Sequence, residues 1–256
     1  MAVFAAQGDP RRSMPLLWRA PDSSAGHPGP KPALNVDVIV DAAIAVADAE
    51  GMAGLSMRAV GERLGCTAMA LYTYVADKSA LVDLMYDRAH AELATDYRGP
   101  WRAAVTAWAE DLWAFYLRHP WVLTVSQARP VLGPHEFDVL EALLRALRGT
   151  GLSGREVRSV VGTLSHFVRG AAQMSAESRQ AAAATGLSDD DWWYARSPLL
   201  SEVAPDFAER YPEICWLEAE RAGEPVNETV PYMENEARET FEVGLSILLD
   251  GVSARM

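Results

Sequence analysis

The chain is predicted to be all-α, with a three-helix N-terminal domain followed by a larger helical domain. Three observations predict this. Apolar residues recur at helical spacing from residue 36 almost to the end, no alternating run makes a convincing strand, and Gly or Pro breakers cut the pattern into helix-length pieces. At 256 residues the chain can bury one large core or two modest ones.

Residues 1–33 read as a flexible arm, with Pro10, Pro15, Pro21, Pro28, Pro30 and Pro32 among Gly and Ser and no regular period. Arg11, Arg12, Arg19 and Lys31 outnumber Asp9 and Asp22, so the arm is basic. From Val36 a helical stripe of Ile39, Ala42, Ala43 and Val46 runs to a stop at Gly51. Two short helices are expected near 56–64 and 68–75, then a longer one after Asp77 with Leu81, Leu84, Met85 and Arg88 along it. Further helices are expected near 101–118, 121–128, 134–148, 153–184, 206–222 and 234–251. Between them stand Gly99-Pro100, Pro120, Pro130, Gly133-Pro134, Gly149 to Gly151 and Pro198 to Pro205. The expected domains are thus 1–33, 34–80 and 81–256.

Composition narrows the function. A net charge of −12 argues against a protein that coats nucleic acid indiscriminately, because phosphate neutralisation supplies that affinity. It leaves room for a specific binder whose few cations share one face. Cys66 and Cys215 are far apart and lack metal-site spacing, no apolar run approaches the ~18 residues of a membrane span, and no leader pattern opens the chain. A reduced, cytoplasmic protein is expected. No Gly-x-Ser-x-Gly elbow, phosphate-binding glycine loop or His-Glu-x-x-His pair is present, and Ser165 and His166, adjacent on a helix, point apart. Neither catalysis nor a cofactor is expected, and His135 with Asp138 makes at most a weak metal pair.

The segment from Leu55 to Val75 carries the sharpest signal. Ser56 suits a helix N-cap, and Met57, Val60 and Leu64 line one face of the helix it opens. Gly65 stands where the chain must leave in a left-handed conformation. Thr67 is the expected cap of the next helix, whose Leu71 and Val75 face inward. Thr67, Ala68, Met69, Tyr72, Thr73 and Tyr74 are left outward, as in a helix that enters a DNA major groove. Arg58 and Lys78, each near a helix N-terminus, flank them as phosphate contacts. On these residues alone, a plain helical hairpin with exposed tyrosines remains open.

Leu55-Ser56-Met57-Arg58, Arg63-Leu64-Gly65, Leu71-Tyr72 and Tyr74 to Leu81 resemble the signature of the TetR family, in the subgroup close to the tetracycline repressor. The likeness continues through Trp101, His119-Pro120, Arg129-Pro130, Leu164 to Gly170 and Phe241 to Leu249. It implies a transcriptional regulator, commonly a repressor, that binds a palindromic double-stranded operator as a homodimer and is released by a small effector. Backbone contacts would fall to Ser56, Arg58, Tyr74 and Lys78, and base contacts to Ala68, Met69, Tyr72 and Thr73. Ala68 and Met69 cannot make bidentate hydrogen bonds, so reading would lean on thymine methyls and DNA shape. Residues 34–95 carry four basic residues against nine acidic ones, which implies modest affinity. The basic arm is either a solvated tail or a further DNA contact.

In the larger domain Val157, Val161, Leu164 and Val168 form one stripe, and Phe241, Leu245 and Leu248 another. Such stripes serve either an intramolecular core or a four-helix dimer interface, and the resemblance favours the interface. Trp108, Leu112, Tyr116, His166, Phe167 and Arg169 are the expected lining of an effector pocket for an apolar or aromatic molecule. Where the tetracycline repressor places its drug-binding asparagine this chain has Trp108, and its magnesium histidine falls near Val125 or Ser126. A pocket for a different molecule is expected.

Overall fold

Helices carry nearly all the regular structure in the computed structural model, which describes residues 3–19, 34–223 and 229–256. The chain forms two compact units, residues 1–169 with 247–256, and residues 170–246.

In the first unit, α2 (Val36–Gly54) opens under an Asn35 cap, whose side chain accepts from the Val38 amide at 2.9 Å. It buries the predicted stripe, and the backbone turns left-handed at Gly51 (φ 66°). Two short helices follow, α3 (Met57–Leu64) and α4 (Ala68–Leu71). Next comes α5 (Lys78–His90), capped by Asp77 and buried on almost every side, against α2 on one flank and α7 (Pro134–Leu147) on another. The core of the second domain begins with α6 (Trp101–Arg118), packed on α7. A helix expected over 121–128 is instead a 3₁₀ turn, Pro120–Thr124, followed by an extended pair, Val125–Ser126 (β2). Arg169, on the long α8 (Gly154–Thr185), explains the change. Its guanidinium donates to the carbonyls of Leu123 and Val125, the latter at 2.9 Å, giving these oxygens partners outside a helix.

Residues 3–19 depart from the expected flexible arm. Val3–Phe4 (β1) pairs in parallel with β2, and Pro10–Leu17 forms α1 against α5. Asp9 caps α1 by accepting from the Arg11 amide, and Pro10 sits at the first helical position, where a missing N–H costs nothing. The prolines that suggested disorder therefore include a helix start. The remainder of the arm, with Lys31, lies outside the described residues.

Polar ties join α2 to this core. His119 is sandwiched between carboxylates, Nδ1 2.7 Å from Asp48 Oδ1 and Nε2 3.1 Å from Glu92 Oε2. Trp121 Nε1 donates to the same Asp48 oxygen at 2.8 Å, and Arg88 pairs with Asp41 at 3.1 Å. On α5, Asp87 accepts from the amides of His135 and Glu136 at 2.9 and 3.0 Å, so it caps α7 from another element.

In the second unit an unforeseen helix, α9 (Asp189–Val203), starts at Ser188, whose hydroxyl accepts from the Asp191 amide. Pro198 lies within it, where a breaker was expected. The helix expected over 206–222 is split at Tyr211-Pro212 into α10 (Phe207–Arg210) and α11 (Pro212–Arg221). Arg221 binds Glu236 on the last helix, α12 (Tyr232–Ser253), at 2.6 and 2.9 Å, and Arg179 binds Glu234.

His90 closes the core behind α5. Its Nδ1 lies 2.7 Å from the Tyr86 carbonyl, so that nitrogen carries the proton. Burial pushes its pKa down to about 4, with the hydrogen bond to Tyr86 opposing. The unfolded chain therefore binds more protons than the native one between about pH 6.5 and 4, and stability is lost as the pH is lowered through that window. His90→Gln should remove roughly 3 kcal/mol of the loss that the wild type suffers from pH 7 to 4. Urea unfolding at both pH values checks it, and equal losses in the two proteins would refute the assignment.

Candidate nucleic-acid interface

The corner between α3 and α4 is set by two glycines. Ser56 caps α3, its Oγ accepting from the Ala59 amide at 3.1 Å. Gly65 then adopts φ 69°, ψ 30°, and its amide turns back to the Glu62 carbonyl while that of Cys66 reaches Gly61. Gly61 has a separate role that the sequence reading passed over. A Cβ there would lie 2.8 Å from the Cys66 carbonyl oxygen and 3.3 Å from the Ala68 amide nitrogen. Only a bare α-carbon lets the start of α4 come this close.

The predicted division of α4 into inward and outward sides appears in the burial. Leu71 and Val75 are fully buried, as are Val60 and, nearly, Met57, while Leu64 is half-buried. Met69 is 73% exposed, Tyr72 44% and Tyr74 38%, and Thr67 and Thr73 are also open. Ala68 is half-buried. The regular helix is shorter than expected, ending at Leu71, but the amides of Tyr74 and Val75 both return to the Leu71 carbonyl and hold the turn together. Thr67 occupies the cap position without a side-chain capping bond, a correction to its expected role.

The flanking cations are already engaged. Arg58 Nε is 2.7 Å from Glu62 on its own helix, both side chains well exposed. Lys78 Nζ donates to the Leu55 carbonyl, tying the start of α5 to the residue before Ser56. That bond uses one of three ammonium protons.

With this geometry in view, comparison with known proteins decides the family. The profile described as bacterial regulatory proteins, tetR family, matches residues 39–85, and that of the tetracyclin repressor-like C-terminal domain matches residues 94–256. The chain belongs to the TetR family. It is a DNA-binding transcriptional regulator, similar over 254 residues (97% of this chain, 87% of the other) to the HTH-type transcriptional repressor DrrR1 of Streptomyces coeruleorubidus, at 39% identity. Its fold matches that of SCO7222, a TetR from Streptomyces coelicolor, at 25% identity, with a TM-score of 0.65 covering 87% of this chain and 99% of that one. Streptomyces coelicolor ActR, solved in complex with actinorhodin, shares the fold at 24% identity and a TM-score of 0.64, covering 87% and 98%.

The TetR regulator's second domain departs from two expectations. Leu164, Val168, Phe241 and Leu245 are at most 4% exposed within one chain. The intramolecular reading of the stripes holds for these four, while Val157, Val161 and Leu248 stay half-open. Of the expected effector lining, Trp108, Leu112 and Tyr116 are buried together along α6, Phe167 and Arg169 are half-buried, and His166 is exposed. Arg169 is committed to the β2 carbonyls, with its guanidinium 5.9 Å from the Tyr116 ring centroid. Burial pushes the Tyr116 phenol above its usual pKa, and Arg169 opposes that. The Trp108 indole nitrogen is buried with no hydrogen-bond partner. Among the described residues no cluster of three or more His, Cys, Asp or Glu could hold a metal, and no helix is long and apolar enough to cross a membrane.

Gly61→Ala is expected to push the start of α4 away and to lower stability by about 1–3 kcal/mol. Chemical denaturation measures this, and an unchanged midpoint would mean the corner tolerates a wider approach.

Proposed function

We propose that this regulator represses transcription as a homodimer on a palindromic operator and lets go when a small, largely apolar or aromatic effector binds. One observation carries the DNA part. The side of α4 that holds Met69, Tyr72 and Thr73 is open, while its other side is locked into the core by Leu71 and Val75. Base contact falls to Ala68, Met69, Tyr72 and Thr73, with Thr67 beside them, and backbone contact to Ser56, Arg58, Tyr74 and Lys78. Met69 and Ala68 read by apolar contact and shape rather than by paired hydrogen bonds. A helical adaptor without DNA affinity would leave this surface idle.

Operator selection from random DNA, followed by mobility shift, tests the reading. Tyr72→Ala should lower affinity for the selected sequence by at least tenfold with the dimer intact, and wild-type affinity in that variant would remove Tyr72 from the contact set.

The dimer face supported by the burial shares Leu164 and Leu248 with the predicted one and extends toward Gly251 and Val252. An open groove of about 350 Å³ between α8 and α12 is lined by Val160, Thr163, Leu164, Leu248, Gly251 and Val252, with Arg155, Glu156 and Arg255 among the polar residues at its walls. Ile247, one turn before Gly251, is 65% exposed. Paired about a twofold axis, such faces give an isologous four-helix contact and set two reading helices about one DNA turn, ~34 Å, apart. Ile247→Arg should convert dimer to monomer in analytical ultracentrifugation without loss of helicity, and a persistent dimer would place the interface elsewhere.

For the effector, Trp108 supports a site near α6. A buried indole N–H without an acceptor costs of order 1–3 kcal/mol, and a ligand carbonyl or ether oxygen would relieve that. ActR, solved with actinorhodin, is an instance of this fold with a bound small molecule.

A further inference from the structure

We propose that residues 3–19 are a strap that fixes the DNA-binding helices against the 125–132 segment of the second domain, and that operator affinity depends on its being fastened. This rests on the DNA-binding reading above.

The strap touches four elements, β2, α5, α7 and α2, within 17 residues. At one end β1 lies against β2, with Val3 beside Val125 and Phe4 beside Ser126. The Ala6 amide donates to Asp83 Oδ1 on α5 at 2.8 Å, and α1 then packs along α5 with Leu17 buried. Beyond α1, the Trp18 indole N–H donates to the Leu132 carbonyl at 3.0 Å, and its ring rests 6.1 Å from that of Phe137. Arg19 pairs with Asp37, in the first turn of α2. The same short peptide thus grips the second domain through Val125, Ser126 and Leu132, and the DNA-binding domain through Asp37.

Two further observations separate a fastened strap from a tail that merely lies on the surface. Ala6 (φ 55°) and Leu132 (φ 64°) are the non-glycine residues with left-handed backbone among those described, and both sit at anchor points. Neither conformation is one a free alanine or leucine prefers, so surrounding contacts must hold each in place. Leu17 and Arg19 of the strap meet Asp37 and Val40 of α2, with His135, around a cleft of about 40 Å³. A change of angle between α2 and the 125–132 segment would strain the Arg19 pair and the Trp18 bond. Fastened, the strap holds the reading helices in one orientation, and DNA need not impose it.

The test uses the full chain carrying Trp18→Ala with Arg19→Ala, two side chains outside the buried core. Hydrogen exchange should speed up about tenfold or more at residues 36–41 and 129–132, with α6 and α7 unchanged, and the dissociation constant for the selected operator should rise three- to tenfold. Circular dichroism confirms that the variant is folded, and restoring Arg19 alone should recover part of both effects. Faster exchange confined to residues 3–19, or faster exchange at α2 with unchanged operator affinity, would overturn the proposal. Failure of the wild-type protein to select any operator would instead sink the DNA-binding reading, while the exchange data still decide whether the strap holds α2.

Discussion

Helix α5 is buried on nearly every side yet carries two aspartates, and this constraint orders the first unit. Asp83 is 2% exposed and Asp87 4%. A carboxylate removed from water costs several kcal/mol unless its oxygens are satisfied. Burial pushes both pKa values up, and the backbone amides they accept from oppose that rise. Asp83 takes the Ala6 amide and Asp87 takes two amides at the start of α7. Each bond fixes a neighbouring chain against α5 in one register. Gly133 completes the fit, because a side chain there would run into the Asp87 carboxylate.

The same logic extends to α2. Asp37, Asp41 and Asp48 are spaced at i, i+4 and i+11, which places them on one face of a 3.6-residue helix. Each takes a partner from beyond the three-helix domain: Arg19, Arg88, and His119 with Trp121. Along its length the first DNA-binding helix is therefore held by polar ties, whereas its apolar stripe supplies the burial. Hydrophobic contact tolerates small rotations. Charged hydrogen bonds at three points along one helix add directional resistance to them.

This changes how the acidic composition of residues 34–95 should be read. Counted along the sequence, nine carboxylates against four cations suggested a weak binder. In the structure Asp37, Asp41, Asp48 and Glu92 tie elements together, Asp77 caps a helix, Asp83 and Asp87 hold backbone amides, and Glu62 holds Arg58. The charge is mostly spent inside the protein rather than displayed toward DNA. The helix-turn-helix and the order of its helices were legible, since Ser56, Gly65, Leu71 and Val75 act through local capping and period. Gly61, the Pro10–Leu17 helix and the long-range aspartate ties were not, because what gives them meaning is a neighbour 5 to 114 residues away. Helical period reports which side is apolar, not what covers it: on α8, Leu164 and Val168 are buried within one chain while Val157 and Val161 stay half-open.

The pairing of Arg58 with Glu62 bears directly on how such a surface discriminates among sequences. An exposed i, i+4 pair contributes little to stability, so a DNA phosphate can take Arg58 at little cost. Glu62 is then left unpaired beside a polyanion, and that repulsion applies at every site, specific or not. Non-specific complexes, which depend on phosphate contacts, feel it in full, because they have nothing to set against it. In the complex proposed above, the contacts of Met69, Tyr72 and Thr73 with base edges carry the difference. Weak cations beside an apolar reading face therefore lower affinity at every site and leave discrimination to the base contacts.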